Sequence, residues 1–400
     1  MIKRGMLLLF LAVFALTACS DDDGETPAHD HEEGQFVRVL VSDQDQANYY
    51  VVNPHEGTVE TVAGQYAAGR LYTSPSGRYV SVINTDDNLA TFFDSGIEAH
   101  GDHAHVKGTP KWALSKATAS RPVHYYGKGD NILVFNDGEG SISHFKESTM
   151  HTEAEARVFD ISDAHHGAPA LFNNGTIAVT EKDGSTAWTL PERVKVIDMN
   201  GNTLHESTIQ TSGIHGEAGN GETVLFGSVE GILRVNQDGS QLLIENPESF
   251  GDEWIGTIIY GEESETFIGF DGGRGVYEID IATNSINTIE ENASLSAATF
   301  DWEGHHLILV YTDGTAKVLD GHGFGIIASE QLGINFPAEG STGAPTYAAS
   351  EEFLYISDGI NGSIAMYELE TLEFVGTLAL PGKPARMALM GSLAHDDHEH

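Results

Sequence analysis

The chain has 400 residues, a hydrophobic share of 40% and a formal net charge of −40. The length allows one large or two ordinary domains with a full apolar core, and the acidity excludes nucleic acid, whose binding needs basic patches that displace counterions. Forty-five glycines and a scarcity of long helical patterns exclude a helix bundle and favour an all-β chain rich in turns.

The N-terminus reads as a targeting segment. Lys3 and Arg4 precede an apolar run over residues 7–16 that is too short to span a bilayer comfortably, the pattern of a signal peptide. Leu16-Thr17-Ala18-Cys19 resembles the lipobox of bacterial lipoproteins. That resemblance implies removal of residues 1–18, lipidation of Cys19 and a membrane-anchored, extracytoplasmic protein facing the periplasm or cell surface. An ordinary signal peptide with an incidental cysteine is the alternative. Cys19 is the only cysteine, so an internal disulfide is impossible. Residues 19–35 are acidic and polar, carry His29 and His31, and read as a flexible tether.

From residue 36 to 392 short β-like runs alternate with Gly/Asp/Asn turns. Four runs recur as a unit: 257–260, 266–270, 275–281 and 285–289 make one example. First strands are expected near Leu71, Val123, Pro169, Gly216, Thr257, Ala298, Pro345 and Arg386. Their spacing of roughly 45 residues matches four-stranded propeller blades. The last start has no strands after it, and the runs 36–41, 48–52 and 59–62 lack a first strand. Joining the two closes the ring and removes free sheet edges. The expected fold is therefore an eight-bladed β-propeller, with seven blades as the alternative. Residues 393–400, with His395, His398 and His400, form an acidic His-rich tail.

Histidine is the residue that carries chemistry here. There are 19, many beside carboxylates, and imidazole with carboxylate is a ligand set for a borderline metal such as zinc. The segment 95–110 reads as a mobile loop in which His100, Asp102, His103 and His105 could wrap a cation; a merely polar loop is the alternative. His305 and His306 fall in a turn after Trp302-Glu303-Gly304 and have no evident partner.

The start of each first strand crowds the axis of a propeller. Three successive units place histidine there: His124 after Arg121-Pro122-Val123, His165-His166 before Gly167, and His215 between Ile214 and Gly216. A tetrahedral zinc site could be built from His124, His166 and His215, with Glu217, His165 or Asp163 as fourth ligand or outer support. Glu217 would share a strand face with His215 if that strand is regular. Zinc binding is expected to weaken below about pH 6, because imidazole must lose its proton to bind.

At these residues the chain resembles the zinc metallochaperones of the AztD type, extracytoplasmic propellers that pass zinc to the solute-binding protein of a zinc ABC importer. The resemblance spans essentially the whole mature chain and rests best on His124, His165-His166-Gly167 and Ile214-His215-Gly216-Glu217. It implies that these residues hold zinc and that the 100–105 and 29–31 segments help capture or transfer it. It implies a monomer with no catalytic residue. The lipobox departs from a freely soluble chaperone and implies a tethered one. Two other classes fit the same residues: a metal-dependent hydrolase or lactonase on a propeller, since catalytic zinc also uses three protein ligands, and a protein-interaction propeller. No nucleophile elbow and no glycine-rich phosphate loop favours the enzyme, and Asp271-Gly272-Gly273-Arg274-Gly275 reads as a turn.

Overall fold

The computed structural model describes residues 33–101, 103–338 and 340–393. Cys19, His29, His31, Asp102, His395, His398 and His400 lie outside the described residues, as do the expected signal peptide and most of the tether. The last residues of the expected tether belong to a 3-10 turn, Glu33–Phe36, that runs one residue into the expected propeller.

The strands pair with their sequence neighbours into eight four-stranded antiparallel sheets, the architecture of an eight-bladed propeller. The seven-blade alternative is excluded. Seven sheets are contiguous in sequence and are numbered blades 1–7 in chain order, blade 1 opening with the inner strand Arg70–Thr73. The eighth takes its inner strand, Pro384–Gly391, from the C-terminal end and its other three, Val37–Asp43, Asn48–Asn53 and Thr58–Ala63, from the N-terminal end. The seam runs from Val37 opposite Gly391 to Asp43 opposite Pro384, so the ring closes on backbone hydrogen bonds that cover the inward edge of Val37–Asp43.

Burial explains why the blades stack. All six residues of the second strands Tyr79–Asn84 and Thr223–Ser228 are buried, whereas the outermost strand Thr58–Ala63 is half-buried to exposed. The apolar side chains of one blade interdigitate with those of the next. Leu133, Phe135 and Ile142 of blade 2 pack with Leu171, Ile177 and Val179 of blade 3. Each such side chain contributes about 1.5–3 kcal/mol on burial, and none could be buried by a single blade.

Antiparallel order sorts the connections onto two faces. The loops entering each inner strand and those joining second to third strands share one face, here called the entry face. The connections between first and second and between third and fourth strands lie on the opposite face.

The segment 95–110 departs from expectation. It is an ordered hairpin, Ile97–His100 paired with His103–Val106, inserted between the third and fourth strands of blade 1. Only two residues, Gly101-Asp102, separate these strands, and Gly101 has a φ of 67° that suits a tight hairpin turn. Small alanines at 99 and 104 hide the alternation in the sequence. The hairpin is no free loop, because Ile97 and Ala104 are buried against Phe36.

Candidate metal centre

Three local devices aim three imidazoles at one point on the entry face. His124 lies in the inner strand of blade 2, Pro122–Lys128. Pro122 pairs with Asn136 and Tyr125 with Val134, so Val123 and His124 together oppose one residue. That is a β-bulge, which re-aims a side chain out of the regular alternation. The preceding Arg121 has a φ of 54°. It is held by its N–H donating to Asn88 Oδ1 at 2.8 Å and its carbonyl accepting from Asp137 N at 2.9 Å. His166 comes from the loop entering blade 3. His215 comes from the turn entering blade 4, just before the strand Glu217–Gly219. There Gly216 has a φ of 76°, and any Cβ at that position would strike the Gly256 carbonyl. Glycine is needed for both reasons.

The ring centroids are 4.7 Å apart for His124 and His166, 5.7 Å for His124 and His215, and 5.3 Å for His166 and His215. One ring nitrogen from each lies within 4.8 Å of the others, and Nε2 of His124 is 3.2 Å from Nε2 of His166. The Nδ1 side of every ring is already engaged. His166 Nδ1 lies 2.6 Å from Asp137 Oδ2, His215 Nδ1 lies 2.7 Å from the Gly256 carbonyl, and His124 Nδ1 lies 3.5 Å from Glu217 Oε2. Such outer partners fix ring orientation and leave Nε2 for a metal. All three rings are half-buried.

The electrostatics differ from ring to ring. Burial opposes protonation of His124, but the Glu217 carboxylate, its hydrogen bond and Asp137 outweigh burial and hold the ring above the ordinary imidazole value. Burial lowers His215, and the neighbouring His124 and His166 add to that, against the Gly256 carbonyl.

The other sequence candidates fall differently. Glu217 backs His124 from its Nδ1 side; His215 lies outside the regular strand, so the two do not share a strand face. His165 turns into the fold. It is buried, with Nδ1 2.8 Å from the Asp163 carbonyl, Nε2 3.2 Å from Thr180 Oγ1, and its ring packed edge-on to Phe135. Its burial lowers its affinity for protons. The Asp163 side chain is exposed, and its carbonyl, not its carboxylate, meets His165. Asp137 was missed by sequence reasoning. It sits in a turn, Asn136-Asp137-Gly138, where an acidic residue is unremarkable, and only folding brings it to His166.

The hairpin gathers a second group on the opposite face. Glu98 pairs with His105 and His100 with His103, so all four side chains share one side of the hairpin. The three ring centroids are 4.9–6.1 Å apart, and His100 Nε2 is 3.4 Å from Glu98 Oε1. Arg78 ties Glu98 to the buried Asp94 at the hairpin base. This group therefore stands on the other side of the ring from His124, His166 and His215.

No known protein-family model matches the sequence. The chain is 22% identical over 399 residues to the zinc chaperone AztD of Citrobacter koseri, covering 94% of each chain. Its fold is similar to the crystal structure of Citrobacter koseri AztD, with a TM-score of 0.80 at 20% identity over 89% of this chain and 98% of that one. It is also similar to the apo form of that protein, with a TM-score of 0.78 at 19% identity over the same shares. A more distant likeness, with a TM-score of 0.59 at 13% identity, is to the dihydro-heme d1 dehydrogenase NirN, over 90% of this chain and 76% of that one.

Proposed function

We propose that this chain is a zinc chaperone of the AztD type: a non-catalytic, extracytoplasmic propeller that binds zinc and passes it to the solute-binding protein of a zinc ABC importer. The single observation that carries this reading is the convergence of His124, His166 and His215, each with Nδ1 engaged by an outer partner and one ring nitrogen within 4.8 Å of the others. The similarity along nearly the whole chain to a protein named as a zinc chaperone supports it. Zinc is the cargo. Three imidazoles hold it, and the position left open by a three-ligand set admits the first ligand of a receiving protein. Ligands can then be exchanged one at a time, because the rings are only half-buried.

His100, His103 and His105, with Glu98, form a second capture locus, and His29 and His31 add to capture. Cys19 carries a lipid anchor that keeps the chaperone, a monomer, at the membrane beside the importer. The acidic surface that accompanies a net charge of −40 raises the local cation concentration.

The direct test mixes the zinc-loaded chain with an apo solute-binding protein of a zinc importer in the presence of a chelator that captures free zinc. Transfer faster than spontaneous zinc loss from the chain is the expected result. Transfer only at the rate of spontaneous loss would remove the chaperone reading.

A further inference from the structure

The opposite face carries another convergent donor set, built from residues of two neighbouring blades. Glu303 and His305 lie in the turn joining Leu295–Phe300 to His306–Tyr311, and Glu351 lies in the turn joining Tyr347–Ala349 to Phe353–Asp358. His305 Nδ1 is 3.8 Å from Glu351 Oε1 and 4.0 Å from Glu303 Oε2. One donor atom from each of the three residues lies within 4.8 Å of the others.

We propose that Glu303, His305 and Glu351 bind a first-row divalent metal ion that clasps blades 6 and 7 on the face opposite the histidine triad.

Three observations support the assignment. The imidazole is too far from either carboxylate for a hydrogen bond, so its Nδ1 is aimed between them and not spent on one. A metal ion with ligands at 2.0–2.2 Å would hold its donors ~3.0–3.5 Å apart. Closing the present gaps therefore takes side-chain movement of about half an ångström, which side chains 37–45% exposed can make. Secondly, the turn that offers two of the donors is pinned. The buried Asp301 accepts hydrogen bonds from the N–H groups of Gly304, His305 and His306 and contacts His306 Nδ1 at 2.7 Å. The Glu303 carbonyl accepts from Glu263 N at 3.0 Å, which ties the turn to blade 5. Thirdly, the two carboxylates approach each other with no lysine or arginine between them: among the described residues, the ion-pair partner of both is His305. The neighbouring Glu351 carboxyl, with burial, pushes the Glu303 carboxyl up to about 7. Like charges this close need a proton or a cation between them, and an imidazole facing the gap supplies the nitrogen ligand that a proton does not need.

Two carboxylates and one imidazole make a harder donor set than three imidazoles, so the site accepts Zn²⁺ and suits Mn²⁺ better than the triad does. The proposal does not depend on the chaperone reading, since it concerns different residues on a different face.

The test uses the full chain. Zn²⁺ is titrated calorimetrically into the parent, a His305→Ala variant, a Glu303→Gln/Glu351→Gln variant, and a triad variant carrying His124→Ala, His166→Ala and His215→Ala. Loss of one equivalent of bound zinc in each of the first two variants, with the triad's equivalent retained, is the expected result. The triad variant should keep the equivalent that the other two lose. Thermal unfolding with and without Zn²⁺ gives a second readout, because an ion joining two blades raises the melting temperature by mass action. The zinc-dependent rise should shrink in the His305→Ala variant. An unchanged zinc count in both the His305→Ala and the double glutamine variants would overturn the proposal and leave a carboxyl pair that shares a proton. Failure of zinc transfer to a partner would leave these counts untouched, so the two readings fail separately.

Discussion

Asp137 Oδ2 lies 2.6 Å from His166 Nδ1, and the opposite nitrogen of the same ring lies 3.2 Å from Nε2 of His124. The carboxylate thereby sets which nitrogen of His166 faces the site, and its charge makes that nitrogen a better donor. Asp137→Asn keeps the size of the side chain and removes the charge. Zinc affinity is expected to fall by about 10–100-fold while the melting temperature of the metal-free chain stays nearly constant. Competition against a chromophoric chelator measures the affinity, and an unchanged value would mean that Asp137 does not position His166.

His165 and His166 are sequence neighbours with opposite environments, and their alanine variants should part company. His166→Ala removes a ring that faces the proposed metal centre; zinc affinity should drop by more than the loss of an outer partner causes, with little change in stability. His165→Ala empties a buried position and leaves Thr180 Oγ1 and the Asp163 carbonyl without that partner. A cost of ~1–3 kcal/mol in denaturant unfolding is expected, with the zinc count retained. If His165→Ala abolished zinc binding at full stability, the roles given to the two rings would be exchanged.

At the proposed zinc site protons and metal compete for the same nitrogens, and the competition begins at His124. Against the effect of burial its pKa is raised, chiefly by the Glu217 carboxylate, so as pH falls it protonates before an ordinary imidazole does. His215 is lowered and follows at more acid pH. Apparent zinc affinity should therefore start to decline above pH ~6.5, earlier than the reference pKa of histidine alone suggests. For the metal-free fold the sign at His124 is reversed: a raised pKa contributes stability below the unfolded value and loses it as pH rises through the folded one. Glu217→Gln removes the largest influence that raises His124. The onset of zinc release should move to lower pH in that variant, read from calorimetric titrations between pH 5.5 and 8. Identical onsets in parent and variant would rule out Glu217 as the cause.

The propeller was legible because its signals are local and repeated. Turn residues at blade spacing located the inner strands to within about three residues, and the unpaired runs at the two ends announced the seam between Val37 and Gly391. The three histidines were legible because the strand starts of a propeller converge. What lay hidden was whatever depends on a partner distant in sequence or on backbone alone. Asp137 meets His166 across 29 residues, and the Gly256 carbonyl meets His215 across 41. The second of these has no side chain to read. The bulge at His124 also left no mark in the sequence, although it decides where that ring points. The hairpin at 97–106 was masked for another reason: alanine at 99 and 104 carries too little apolar weight to display a period of two.

Gly216 tests how far the backbone builds the site. Its φ of 76° is costly for any L side chain, and a methyl group there would press on the Gly256 carbonyl that orients His215. Gly216→Ala should cost ~1–3 kcal/mol of stability and weaken zinc binding together, because relief of the clash moves the acceptor away from Nδ1. Gly239 also has a positive φ but lies in the connection between the last two strands of blade 4, away from the triad. Gly239→Ala serves as the control: lower stability with unchanged zinc affinity is expected there. Equal losses of affinity in the two variants would assign the effect to general destabilisation.

Ring closure makes the last strand a condition for the whole fold. Pro384–Gly391 pairs along Val37–Asp43 and buries Met387, Leu389 and Met390 in the cores on either side of the closing blade. Truncation before residue 384 removes these side chains, each worth about 1.5–3 kcal/mol, and exposes the edge of Val37–Asp43. The truncated chain is expected to unfold at much lower denaturant concentration or to aggregate through the open edge. A circular permutant separates the seam from mere loss of chain. Joining Leu393 to Glu33 by a short linker and opening the chain in the turn between Asp280 and Ser285 keeps every strand while moving the ends to blade 5. It should fold and retain zinc at His124, His166 and His215. A permutant that folds beside a truncation that does not would fix the cause in the missing inner strand, whereas a truncated chain with the parent's melting temperature would show that the seam contributes nothing to holding the blades together.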